Sequence, residues 1–169
     1  NIFISLKYVL QHIINWSMAK LYFHYSTMNA GKSTLLLQAA HNYQERGMES
    51  YLLTAQFDNR AGDARIGSRI GIGREADTFS LSDDLFYKIK KRINDGPCAC
   101  VFIDEAQFFD SSIVEVCCSL ANSGKRLVVA GLEKDYLANS FGSMPDLLVD
   151  AEYITKVNAI CMQCGDPAN

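Results

Sequence analysis

The eight residues Ser26-Thr27-Met28-Asn29-Ala30-Gly31-Lys32-Ser33 constrain this 169-residue chain more than any other stretch. An apolar run, Leu21-Tyr22-Phe23-His24-Tyr25, precedes them, and a helical pattern begins at Thr34. A strand, a tight turn ending in Gly-Lys-Ser and then a helix is the layout of a phosphate-binding loop. Successive backbone N–H groups and the positive end of the following helix cradle phosphate oxygens in such a loop. Lys32 then places a cation on the β- and γ-phosphates, and the Ser33 hydroxyl ligates Mg²⁺. The usual pattern opens with Gly, where this chain has Ser26. Gly-Lys-Ser alone recurs in ordinary turns, so the flanking strand and helix carry the information.

The length fits one domain with a sizeable core. A hydrophobic share of 49% excludes a disordered chain. A net charge of −3 gives no global pull toward nucleic acid or an anionic membrane. Cys98, Cys100, Cys117 and Cys118 lie in apolar segments and read as buried free thiols, which favours a reducing, cytoplasmic setting. Residues 1–17 are apolar but too interrupted for a membrane span, and they lack the small-residue cleavage site of a secretory signal. Met18 reads as the natural start, with 1–17 a non-native or upstream extension; an amphipathic appendage is the alternative.

Periodicity orders the rest. Strands are expected at 20–25, 50–55, 98–103, 127–130 and 153–160, and helices at 34–46, 83–93, 111–120 and 145–149. Residues 58–77 hold four glycines and four arginines with little apolar content, and read as a mobile surface loop. The alternation predicts an α/β fold: a mostly parallel sheet with helices on both faces, of the P-loop NTPase, RecA-like kind.

Val101-Phe102-Ile103-Asp104-Glu105 is an apolar strand that ends in two carboxylates. Parallel sheets bind ligands beyond the carboxyl ends of their strands, where the phosphate loop also lies. Asp104 is suited to hold Mg²⁺, directly or through water. Glu105 is then free to accept a proton from an attacking hydroxyl or water. Arg60 is a candidate for steadying phosphate charge, whereas Arg65 and Arg74 read as solvated. Phe108 and Phe109 could wall a base pocket or belong to the core.

These motifs together resemble the type II thymidine kinases, in their bacterial branch. The resemblance rests on residues 20–34 and on Asn42-Tyr-Gln-Glu-Arg-Gly-Met48. It continues through Ser68-Arg69-Ile70-Gly71, Asp104-Glu105-Ala106-Gln107-Phe108, and Gly131-Leu132 followed by Phe141-Gly142, and closes with Cys161-Met-Gln-Cys164. It covers nearly all of residues 18–169. It implies Mg²⁺-dependent transfer of the ATP γ-phosphoryl group to the 5′-hydroxyl of thymidine, with Glu105 as proton acceptor. It implies ATP contacts from Ser26, Thr27, Met28, Asn29, Ala30, Gly31, Lys32 and Ser33, from Asp104, Glu105, Ala106 and Gln107, and from Asp58 and Arg60. Met28, Phe108, Leu132, Tyr136 and Phe141 match positions that line the thymidine pocket. A cytoplasmic homotetramer, feedback inhibition by thymidine triphosphate and a structural Zn²⁺ are further implications, with no nucleic-acid or membrane partner.

Cys161 and Cys164 have the spacing of half a four-ligand zinc site; two unrelated surface cysteines are the alternative. His12, His24 and His41 all lie in the first quarter of the chain. By resemblance the second ligand pair and a substrate-closing loop lie beyond Asn169. The chain therefore reads as C-terminally truncated, with 18–152 a nucleotide-binding kinase domain and 153–169 the start of an incomplete zinc and lasso subdomain. Such a chain is expected to bind nucleotide phosphates and to phosphorylate thymidine weakly or not at all. Two other readings stay open: a P-loop ATPase in which Glu105 activates water, and a catalytically silent nucleotide-binding fragment.

Overall fold

The computed structural model describes residues 20–56, 64–80 and 83–168. Residues 1–17, Asp58 and Arg60 lie outside them. Strand β1 (Leu21–Ser26) runs into the phosphate loop and helix α1 (Lys32–Glu45). Then follow β2 (Ser50–Ala55), β3 (Arg65–Gly67), β4 (Gly73–Glu75), β5 (Asp77–Phe79) and α2 (Leu85–Asp95). β6 (Cys100–Asp104) leads through a 3₁₀ turn (Ala106–Phe108) to α3 (Ser112–Asn122) and β7 (Arg126–Leu132). The chain continues with α4 (Met144–Asp150), β8 (Tyr153–Lys156), β9 (Ala159–Ile160) and β10 (Pro167–Ala168).

Six strands form one parallel sheet in the order β5-β2-β6-β7-β1-β8. The expected RecA-like parallel architecture is therefore present, with β7 inserted between the strand of the phosphate loop and the strand of the acidic pair. All five residues of β6 are buried, because its side chains alternate between two apolar cores. Val101 and Ile103 join Leu21, Phe23, Ile89, Ile113, Leu120 and Leu147 on the face covered by α2, α3 and α4. Cys100 and Phe102 join Leu36, Leu37, Ala40 and Ile66 on the face covered by α1. Asp84 caps α2, accepting from the Tyr87 backbone N–H at 2.8 Å.

Two sequence expectations need correction. The described part of 58–77 is not a loose loop: β3 and β4 form an antiparallel hairpin, and β5 joins the main sheet. Two buried apolar residues, Ile66 and Ala76, seat that segment against the core covered by α1, and the Arg- and Gly-rich remainder masked the pattern. The final strand expected at 153–160 is two elements. β8 extends the main sheet beside β1, and β9 pairs antiparallel with β10 in a separate small ribbon. The Val157-Asn158 step between them breaks the run.

Candidate functional site

The phosphate loop is shaped by two left-handed residues. Asn29 has φ +67 and Gly31 has φ +88, the left-handed backbone from which anion-binding nests are built. α1 begins at Lys32, which puts Lys32 and Ser33 at its positive end. Lys32 is buried and its ammonium donates to the Thr27 carbonyl at 2.7 Å and to Ser26 Oγ at 3.2 Å. Ser26, in the place of the usual glycine, is 1% exposed, and its hydroxyl donates to the Thr27 carbonyl at 2.8 Å. The residue that departs from the pattern thus helps to seat the lysine.

Asp104 ends β6 under this loop, one intervening strand away from β1. Neighbouring strands lie about 4.8 Å apart, so roughly 10 Å separates the two strand ends. The Ser33 hydroxyl lies near enough to the Asp104 carboxyl to favour its charged form. Burial, and secondarily the nearby Glu105 carboxylate, push the Asp104 carboxyl up to about 6; the Ser33 hydroxyl, the Glu105 backbone N–H and Lys32 pull the other way. Glu105 itself is left-handed (φ +54, ψ +42), a conformation that costs a non-glycine residue roughly 1–2 kcal/mol. The turn lifts its side chain out of the sheet and into the open cleft.

One cavity of about 440 Å³ collects these groups: Met28, Asn29, Gly31, Lys32 and Ser33 from the loop, Glu105 from the end of β6 and Leu132 from the end of β7. Gly67, Ser68, Arg69 and Ile70 of the hairpin, with Met162 of the terminal turn, complete the wall. Sequence reasoning assigned no site role to Arg69 or Met162. Ser68-Arg69-Ile70-Gly71 was legible as a motif, but its approach to the loop depends on the Ser68 and Thr34 hydroxyls, which hydrogen-bond at 2.5 Å. Phe108 and Phe141 meet edge to face, with centroids 5.3 Å apart. Tyr136 stands apart from this cluster, 94% exposed on the turn between Lys134 and Ser140.

Gln107 is almost fully buried. Cys161 and Cys164 bracket a tight turn held by Cys161 N–H to Asp166 O at 2.8 Å and Gly165 N–H to Cys161 O at 3.0 Å. Backbone N–H groups of Cys164 and Gln163 hold the Cys161 thiol below its ordinary range, which suits a metal-binding thiolate. Among the described residues, no three His, Cys, Asp or Glu side chains are grouped to hold a metal. Cys98, Cys100 and Cys117 are buried free thiols, as expected, while Cys118 is only partly covered.

The family model described as "Thymidine kinase" matches residues 19–169. The thymidine kinase of Jannaschia sp. is 54% identical over 152 residues, which cover 89% of this chain and 77% of that protein. That of Ruegeria pomeroyi is 52% identical over 152 residues, covering 89% and 76%. Among solved structures, domain III of the Thermotoga maritima replication initiation protein DnaA aligns with 90% of this chain and 61% of its own at 14% identity, with a TM-score of 0.48.

Proposed function

This chain belongs to the thymidine kinase family, and from that membership we propose how its residues carry out ATP-dependent phosphorylation of thymidine. The enzyme is a deoxynucleoside kinase: the thymidine 5′-oxygen bonds to the γ-phosphorus, the bond to the bridging oxygen of ADP breaks, and the hydroxyl proton is released. The observation that carries the assignment of roles is that Lys32, Ser33, Glu105 and Leu132 open onto one cavity at the carboxyl ends of β1, β6 and β7.

In this reading Lys32 and the backbone N–H groups of residues 26–33 hold the triphosphate. Phosphate oxygens are stronger acceptors for the ammonium than the Thr27 and Ser26 oxygens it now contacts. Ser33 and Asp104 are suited to hold Mg²⁺, because a hydroxyl and a carboxylate, both hard oxygen donors, lie near each other there. When bound, the ion supplies charge neutralisation on the phosphates. Glu105 accepts the 5′-hydroxyl proton. Met28, Leu132, Phe108 and Phe141 wall the nucleoside, with Tyr136 brought in from its turn; Ala106 belongs to the second ATP-contacting stretch, and Asp58 and Arg60 are further ATP contacts.

Cys161 and Cys164 fit half of a structural Zn²⁺ site, since N–H donors already favour the thiolate at Cys161. The proposed unit boundaries remain 18–152 and 153–169, although β8 is hydrogen-bonded into the main sheet. A cytoplasmic homotetramer is the proposed state, consistent with an edge strand β8 exposed at all four residues and tested by light scattering. No helix among the described residues is long and apolar enough to cross a membrane.

The test is Glu105→Gln. It should lower thymidine-dependent ADP release by roughly 10²–10⁴-fold, leaving a measurable residual rate, while ATP binding, followed by titration calorimetry, stays within about threefold. Thymidine phosphorylation that survives the change undiminished would remove Glu105 from the role of base. ADP release that is indifferent to thymidine would favour the ATPase alternative.

A further inference from the structure

The resemblance places Gln107 among the ATP contacts, yet both ends of its amide are already committed inside the protein. Gln107 is 3% exposed. Its Oε1 accepts from the Leu132 backbone N–H at 2.9 Å. A backbone N–H can only donate, so that bond fixes which end of the amide is oxygen. Nε2 is therefore the end that faces Glu105, and it donates to Glu105 Oε2 at 2.5 Å. The surroundings are fitted to this residue. Gly142 has φ +52, and a Cβ there would stand 2.7 Å from the Gln107 carbonyl oxygen. A Cβ at Gly131 would stand 3.1 Å from Gln107 Oε1 and 2.5 Å from Met144 Sδ.

We propose that Gln107 is a positioning residue that acts through Glu105: its amide ties the carboxylate to the end of β7, on which Leu132 lines the same cavity. This inference rests on the reading of Glu105 as the base. The physical need is plain. Glu105 sits on a left-handed turn with its side chain directed into an open cleft, and its own backbone N–H is turned back to Asp104 Oδ1 at 3.0 Å. Loss of this donor loosens the placement of the carboxylate, and misplacement by about 1 Å costs on the order of a hundredfold in rate. The Gln107 donor fixes the Oε2 oxygen of that carboxylate. The same amide also links the acceptor-side strand end to the base, so both are placed by one buried group.

The experiment uses the full chain and four variants: Gln107→Met, Gln107→Glu, Glu105→Gln and the double variant Glu105→Gln with Gln107→Met. Methionine keeps the volume and removes both hydrogen bonds. Glutamate keeps an acceptor for Leu132 N–H and replaces the donor with a like charge, so it serves if the methionine variant fails to fold. The expected result is a fall in kcat of about ten- to a hundredfold for either Gln107 variant at pH 8, with KM for ATP unchanged. Gln107→Met added to Glu105→Gln should lower the residual rate no further, since a residue that acts only through Glu105 has nothing left to position. A rise in KM for ATP with kcat preserved would overturn the proposal and restore the ATP contact. So would an unchanged kcat in Gln107→Glu, or an additive loss in the double variant. Full activity in Glu105→Gln alone would instead sink the assignment of the base, independently of what Gln107 does.

Discussion

The Lys32 ammonium donates to the carbonyl oxygen of Thr27, five residues earlier, at 2.7 Å. A charged group that is buried must be paired or solvated by dipoles, and here the loop's own oxygens supply the dipoles. The lysine is thereby held at the mouth of the nest that it serves. Lys32→Met should keep the fold and lower kcat/KM for ATP by about two to three orders of magnitude, as removal of a charge-stabilising donor does. Steady-state kinetics with ATP varied at saturating thymidine measures this.

Asp104 makes the protein's stability depend on pH in a direction opposite to most carboxylates. Its carboxyl, raised to about 6 by burial and then by Glu105, binds a proton more tightly folded than unfolded. Between about pH 4 and 6 the unfolded chain has lost that proton while the folded chain keeps it, so stability falls as pH rises through this window. Above it the penalty is complete, up to roughly 3 kcal/mol by the constant of 1.36 kcal/mol per unit. Asp104→Asn should raise Tm by several degrees at pH 7.5 without Mg²⁺, with the gain vanishing near pH 4 in a calorimetric series. The same variant should lose Mg²⁺-dependent turnover, and the affinity of the wild-type chain for Mg²⁺ should weaken as pH drops below about 6, where a proton competes for the carboxyl.

Two left-handed glycines separate backbone strain from crowding. Gly31 (φ +88) has open space where a Cβ would stand, whereas a Cβ at Gly142 (φ +52) meets the Gln107 carbonyl at 2.7 Å. Gly31→Ala should cost about 1 kcal/mol, from the left-handed backbone alone. Gly142→Ala must also displace a backbone carbonyl and should cost at least about 1 kcal/mol more. Urea midpoints at constant m-value compare the two.

The six cysteines should divide by reactivity. Burial holds the Cys98 thiol up, raises Cys100 to about 12 and pushes Cys117 higher still, while N–H donors pull Cys161 down. Iodoacetamide at pH 7.5 should label Cys161 first and leave Cys98, Cys100 and Cys117 unmodified until the protein is unfolded. If the terminal turn is half of a zinc site, added Zn²⁺ should slow labelling of Cys161, and Cys164→Ser should abolish that protection. Mass spectrometry of tryptic peptides reads both effects.

The chain by itself determined the parts that local rules govern. Gly31-Lys32-Ser33 between an apolar run and a helical pattern specified a phosphate loop, because a turn needing positive φ and a helix end are encoded within a few residues. Val101-Phe102-Ile103 announced a strand buried on both faces, and the carboxylates after it announced where that strand ends. Motifs in fixed order narrowed the chemistry further. The order of strands, with β7 between β1 and β6, was not legible, since pairing across more than a hundred residues leaves no local trace. Nor was the hairpin that brings Arg69 to the cavity, which hangs on buried Ile66 and Ala76 and on the Thr34–Ser68 contact. Gln107 shows the limit most clearly. In the sequence it is one polar residue after an acidic pair. Only the packing of Gly131, Gly142 and Leu132 around it decides that it is buried, which way its amide faces, and that it holds Glu105. Local propensity acts over a few bonds, whereas the placement of a buried polar group is settled by partners that folding brings from elsewhere in the chain.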